Sequence, residues 1–170
     1  MPHITCDKRF SRRVAGLEAS PIREMLSIID RPGMISFAGG LPAPETFAEI
    51  SLTGMPASCL QYGASEGDPE LRQAVADNLN ALGLACTPAQ VLILSGSQQG
   101  IDLVAKLFID AGTPVAVESP TYLAALQVFR YFGASFTPLD PDLPDAGLSA
   151  AARPAFAYAI PTFQNPTGRC

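Results

Sequence analysis

Three polar groups lie at or shortly beyond the end of a short apolar run: Ser95-Gly-Ser-Gln-Gln-Gly100, Ser119-Pro-Thr-Tyr122 and Asn165. In the first, Gly96 lets the backbone come close to a ligand, and Ser97 and Gln98 add side-chain donors. If a helix starts at this point, its first N–H groups are free and its dipole favours negative charge, which makes an anion site. A plain strand-to-helix turn with a serine cap has the same composition, so this cluster gains meaning from its company. Tyr122 offers an aromatic face and Asn165 an amide. A phosphate cradle, an aromatic face and an amide together suit a phosphorylated, flat, aromatic cofactor bearing a hydroxyl.

Strands and helices must hold these clusters. Val91 to Ser95 is apolar and mostly branched without polar alternation, and reads as a buried strand. Ile101, Val104, Leu107, Phe108 and Ala111 then recur at helical spacing, with Asp102 and Lys106 as an i,i+4 pair on the outer side. Ala111-Gly-Thr-Pro114 ends that helix. Val115–Glu118 reads as a second strand, and Ser119 opens another helix with Leu126, Phe129 and Phe132 inward. Ser135–Leu139 is a third strand, Asp140–Ala152 a proline-rich loop, and Phe156–Ile160 a fourth strand ending in Pro161-Thr-Phe-Gln-Asn-Pro-Thr-Gly168. Upstream, Ser20 and Pro21 cap a helix running to Asp30, with Ile22, Leu26 and Ile29 as its apolar stripe. Gly39-Gly-Leu-Pro-Ala-Pro44 makes a rigid loop. Asp68-Pro69 caps a helix whose Leu71, Val75, Leu79 and Leu82 share a face and which Gly83 closes. Alternating strands and helices imply an α/β architecture with a mostly parallel sheet, in which ligands gather at the carboxyl ends of the strands.

Composition narrows the functions further. Of 170 residues, 48% are hydrophobic and 16% charged, a globular balance with enough chain for a real core. A net charge of -5 argues against nucleic acid or an anionic membrane as the main partner. The first ten residues carry no apolar signal region, and no run approaches the length of a membrane span. Cys6, Cys59, Cys86 and Cys170 are scattered and form no CxxC pair, which points to free thiols in a reducing, cytoplasmic compartment. His3 is the only histidine, so Ser-His-Asp, Cys-His and His-ligated zinc chemistry lack their parts, and no metal site is expected. No GxGxxG or GxxxxGK occurs.

Six motifs in order carry a resemblance to a known family: Ile35-Ser-Phe-Ala-Gly-Gly-Leu-Pro-Ala-Pro44, Gln61-Tyr62, Gly67-Asp-Pro-Glu-Leu-Arg72, Ser95-Gly-Ser-Gln-Gln-Gly100, Glu118-Ser-Pro-Thr-Tyr122 and Asn165-Pro-Thr-Gly168. The chain resembles the aminotransferase class I/II family, the fold-type-I enzymes that use pyridoxal 5′-phosphate. Within it the likeness is to the 2-aminoadipate, kynurenine and aromatic-acid aminotransferase branch. The resemblance implies the N-terminal part of a three-layer α/β/α large domain with a mostly parallel, mixed sheet. Residues 1–45 would be an N-terminal arm and small-domain segment, and 46–170 an incomplete cofactor-binding large domain. By resemblance the backbone of Gly96, Ser97 and Gln98 holds the cofactor phosphate, Tyr122 stacks on the pyridine ring and Asn165 bonds the ring hydroxyl. Tyr62 would reach the phosphate of a neighbouring subunit in a homodimer, and Arg23, Gly40 and Leu41 would line the pocket for amino acid and 2-oxo acid substrates. A solvated Arg23 and a core Tyr122 are the plain alternatives.

The family pattern runs on where this sequence does not. Its ring-nitrogen aspartate, Schiff-base lysine and substrate-carboxylate arginine would all lie beyond Cys170, and Lys8 and Lys106 match none of them. No catalytic residue is therefore expected within the chain, which reads as the N-terminal part of an aminotransferase. In the family's strand order, Val91–Ser95 stands to one side of the sheet, and the strands between it and the others come from the second half. Two further readings compete. One is a regulatory domain of the MocR type, disfavoured because no helix-turn-helix precedes Arg13. The other is an inert truncated remnant. The reading frame after Cys170 separates them.

Overall fold

In a computed structural model of the chain, residues 10, 11, 13, 14, 28, 31–35, 42–140 and 153–170 are described. They fall in two compact units, one of Met1–Leu17 with Leu94–Cys170 and one of Glu18–Ile93.

The first unit is built on a three-stranded sheet of β1 (Pro114–Glu118), β2 (Ser135–Leu139) and β3 (Ala157–Tyr158), in the order β2-β1-β3. Both pairings are parallel, with Val115 opposite Phe136 and Ala116 opposite Ala157. β1 is central because its residues tolerate burial on both faces: Val115, Ala116, Val117 and Glu118 are all buried. Helices α2 (Ser97–Phe108) and α3 (Leu123–Phe132) pack on each other, and α3 makes the crossover from β1 to β2 that a parallel pair requires. Gly133 ends α3 in the left-handed region at φ 97°, where a Cβ would stand 2.9 Å from the Ala111 Cα, so only glycine fits that turn. The core joins Ala105 and Ile109 of α2 and its end to Val115 and Val117 of β1 and Ala125, Phe129 and Phe132 of α3. Phe129 packs edge-on against Phe156 and Tyr158, with ring centroids 5.4 and 5.6 Å away.

The second unit holds α1 (Pro69–Ala81). The Asp68 carboxylate accepts from the N–H groups of Glu70 and Leu71 at 2.9 and 3.0 Å, satisfying two of the helix's free donors. Gly83 closes it with φ 83°, and the Leu84 N–H returns to the Leu79 carbonyl. The Arg72 guanidinium reaches across to the carbonyls of Pro88 and Val91, tying α1 to the segment that leads toward Ser95. Gly67 sits so close to that segment that a Cβ would meet the Ile93 side chain at 2.4 Å.

Several expectations need correction. Val91–Ser95 is not a strand: it is extended, with the Ile93 N–H bonded to the Glu66 carbonyl at 2.9 Å, but no ladder partner lies beside it among the described residues. An apolar run supplies the burial preference of a strand, whereas a ladder also needs a neighbour. The fourth strand is confined to Ala157–Tyr158, because only those two residues pair with β1. Ser119–Tyr122 does not open α3; those residues form an irregular connection, and the helix begins at Leu123. In α2, Val104, Leu107 and Phe108 are exposed, and Ala105 and Ile109 take the buried positions. The apolar residues of that helix cover a broad arc opposite Gln99, Asp102 and Lys106, wider than the face this unit buries, so spacing alone did not select the inner side. Leu71 and Leu82 of the α1 region are likewise exposed, with Ala76 buried instead. The helix expected over 20–30 lies outside the described residues except at Ile28, which is helical. Asp102 and Lys106 form the expected pair.

Candidate functional site

At the start of α2 the chain turns sharply. Gly96 takes φ 88° and ψ 169°, a conformation open in practice only to glycine, and nothing stands within 4 Å of where its Cβ would be. The Gln99 side chain reaches back to accept the Ser95 N–H at 2.6 Å, fixing the hinge. No side chain caps the helix, so the N–H groups at Ser97 and Gln98 remain available, and both residues are exposed. Uncapped donors, the positive end of a 12-residue helix and bare backbone at Gly96 make a donor set that fits a phosphate group.

Tyr122 lies on the connection from β1 to α3, half-buried against the core with its carbonyl accepting the Leu126 N–H at 3.3 Å. Beside it, Thr121 is buried and its Oγ1 has no hydrogen-bond partner, a polar atom left over from the internal bonding. Asn165 is exposed in the turn after β3. These two segments leave the carboxyl ends of adjacent parallel strands, β1 and β3, as the alternation of elements implied. The Tyr158 phenol on β3 is held above its ordinary pKa, first by burial and then by the neighbouring Tyr122 and Glu118, so it stays a neutral donor.

Two hollows open in this unit. One of about 620 Å³ lies at the strand ends, with walls that include Glu118, Ser119, Pro138, Ile160 and Gln164. Tyr122 and Asn165 are not in its wall, so it adjoins the expected ring position and does not coincide with it. The other, about 300 Å³, runs between α2 and α3 and is lined by Gln98, Asp102, Ala124, Gln127, Val128 and Tyr131.

The structure therefore gathers Gly96, Ser97, Gln98, Tyr122 and Asn165 into one compact unit. Tyr62 belongs to the other unit and is fully exposed, its N–H bonded to the Gln61 side chain at 2.8 Å. Arg23, Gly40 and Leu41 lie outside the described residues. Sequence reasoning passed over Gln164 and gave Glu118 no role of its own. Both are buried polar residues, Glu118 at the end of β1 and Gln164 in the turn that follows β3. The available signal was a carboxylate closing the apolar run of β1 and an amide directly before Asn165.

Comparison with known proteins places the chain in a family. The family model described as aminotransferase class I and II matches residues 35–147. The 2-aminoadipate transaminase of Thermus thermophilus is 40% identical over 182 residues, covering 99% of this chain and 45% of the relative. Aromatic-amino-acid aminotransferase 1 of Thermococcus litoralis is also 40% identical, covering 98% of this chain and 45% of the relative. The crystal structure of LysN, the α-aminoadipate aminotransferase of Thermus thermophilus, complexed with N-(5′-phosphopyridoxyl)-L-leucine, superposes with a TM-score of 0.69 at 38% identity, over 94% of this chain and 42% of that one. The chain thus spans a little under half the length of the relatives it matches, with the α/β fold of the fold-type-I aminotransferases. It belongs to the aminotransferase class I and II family.

Proposed function

We propose that this chain is the cofactor-cradling part of a pyridoxal 5′-phosphate-dependent aminotransferase, which moves an amino group from an amino acid to a 2-oxo acid. The observation that carries the reading is the uncapped N-terminus of α2 at Gly96–Gln98, in one unit with Tyr122 and Asn165 on the segments that follow adjacent strands. When bound, the cofactor supplies an electron sink for the amino-group chemistry. The chain's own residues hold and orient it. The backbone at Gly96, Ser97 and Gln98 takes the phosphate, the Tyr122 ring covers one face of the pyridine, and the Asn165 amide meets the ring hydroxyl. Tyr62, Arg23, Gly40 and Leu41 complete the reading as contacts to a neighbouring subunit's phosphate and to substrate in a homodimer, with residues 1–45 as the arm and 46–170 in the large domain.

The test is calorimetric titration of pyridoxamine 5′-phosphate into the protein expressed from its whole reading frame. The Ser97 hydroxyl adds a side-chain donor to the backbone N–H groups, so Ser97→Ala should weaken binding by about 0.5–1.5 kcal/mol, one hydrogen bond's worth. Saturable binding that Ser97→Ala weakens is the expected result, and no binding to the unsubstituted protein overturns the reading. A regulator of the MocR type would bind the same compound yet show no amino transfer between amino and 2-oxo acids.

A further inference from the structure

Gln164 is a polar side chain buried to 7% exposure, and every hydrogen-bonding position of its amide is filled. Its Nε2 donates to the Pro120 carbonyl at 2.7 Å and to Glu118 Oε2 at 3.3 Å. Its Oε1 accepts from the Thr167 N–H at 2.9 Å and the Thr167 hydroxyl at 2.7 Å. Its backbone N–H donates to the Arg169 carbonyl at 2.8 Å, and its carbonyl accepts from the Gly168 N–H. Glu118, buried at the end of β1, also accepts the Ile160 N–H at 3.0 Å, on the chain just past β3. One side chain thus bolts the turn that carries Asn165 to the segment that carries Tyr122, across 44 residues of sequence.

We infer that Gln164 is a positioning residue for the cofactor ring: braced by Glu118, it fixes the Asn165 amide relative to the Tyr122 ring. The inference rests on the pyridoxal phosphate reading above and deepens it. A fully satisfied buried amide holds its neighbours to a narrow geometry, because any shift breaks several bonds in a site of low dielectric. Asn165 itself is exposed, and among the described residues no side chain bonds its amide, so its orientation is inherited from the turn that Gln164 anchors.

The test compares Gln164→Ala, Asn165→Ala and the double variant, in the protein expressed from its whole reading frame, against two probes. These are pyridoxamine 5′-phosphate and its 3-O-methyl derivative, whose blocked ring hydroxyl cannot make the Asn165 contact in the same way. Gln164→Ala should weaken the first about 3- to 10-fold, the scale of one hydrogen bond, and change the second less than about twofold. The double variant should be no weaker than the weaker single one. Equal weakening of both probes, or multiplying effects in the double variant, overturns the inference. Amide hydrogen exchange on the unliganded protein, with Glu118→Gln as a milder second variant, gives an independent reading. Faster exchange should appear together at Ile160–Gly168 and at Thr121–Tyr122, with Val115–Val117 unchanged. Loosening confined to one of the two segments, or spread through the core, overturns it. If the unsubstituted protein binds neither probe, the cofactor reading falls, and the exchange result still decides whether Gln164 couples the two segments.

Discussion

At the scale of single residues, the site is a set of polar groups whose internal partners have been either fully assigned or withheld. Gln164 has all its bonds inside the fold, whereas the donors at the start of α2 have no capping side chain. The first arrangement gives rigidity and the second gives binding capacity. Tyr158 shows how the same packing sets ionisation. Burial, then Tyr122, then Glu118, raise its pKa above the ordinary phenol value of about 10. The folded state therefore keeps a proton that the unfolded chain loses. The stability contributed by this group is full below the unfolded pKa and is lost as pH rises through the folded one. Tyr158→Phe should thus show a smaller drop in urea midpoint between about pH 9 and pH 11 than the unsubstituted protein. An unchanged drop would show that other groups carry the alkaline loss.

At the scale of elements, helix ends decide what each helix can do. α1 begins with Asp68 accepting two backbone N–H groups, so its own side chain neutralises the positive end. α2 begins with Gly96 and no such cap, leaving its end for a ligand. Asp68→Ala should cost about 1 kcal/mol of stability and speed amide exchange at Glu70 and Leu71. It should leave pyridoxamine 5′-phosphate affinity unchanged, since the Asp68 side chain bonds the start of its own helix. A matching loss of affinity would mean that α1 is coupled to the cradle. The contrast between the two ends was partly legible in sequence. Aspartate before proline identified the first, and Gly-Ser-Gln the second. What sequence did not give was the reach of Gln99 back to Ser95, because a side chain's local target depends on the turn already being formed.

At the scale of the whole chain, one apolar stripe of α2 stays exposed. Leu107 and Phe108 on α2 are 74% and 56% exposed, and Val104 beside them is exposed as well. Contiguous apolar exposure of this kind promotes association. The 170-residue polypeptide expressed by itself should therefore sediment as concentration-dependent oligomers, and Leu107→Gln should shift it toward monomer. Sedimentation velocity reads both, and a monomer at every concentration would contradict the assignment of that face as adhesive. Among the described residues no helix is long and apolar enough to cross a membrane.

The sequence by itself determined the family and the elements from Pro69 to Ala81 and from Ser97 to Leu139. Those rest on local chemistry: the Asp68 cap, the Gly83 stop, the Asp102–Lys106 pair and the Gly96-Ser97-Gln98 hinge each need only neighbours a few residues away. Tertiary structure alone decided which faces are inside and which distant groups meet. It left Val91–Ser95 without a ladder, turned Ala105 and Ile109 inward in place of Leu107 and Phe108, and brought Gln164 onto Pro120 and Glu118. The physical reason is the same in each case. An apolar residue states a preference for burial and a polar one a need for partners, but neither names the surface or atom that meets it. That is fixed only when strands from separate parts of the chain pair side by side.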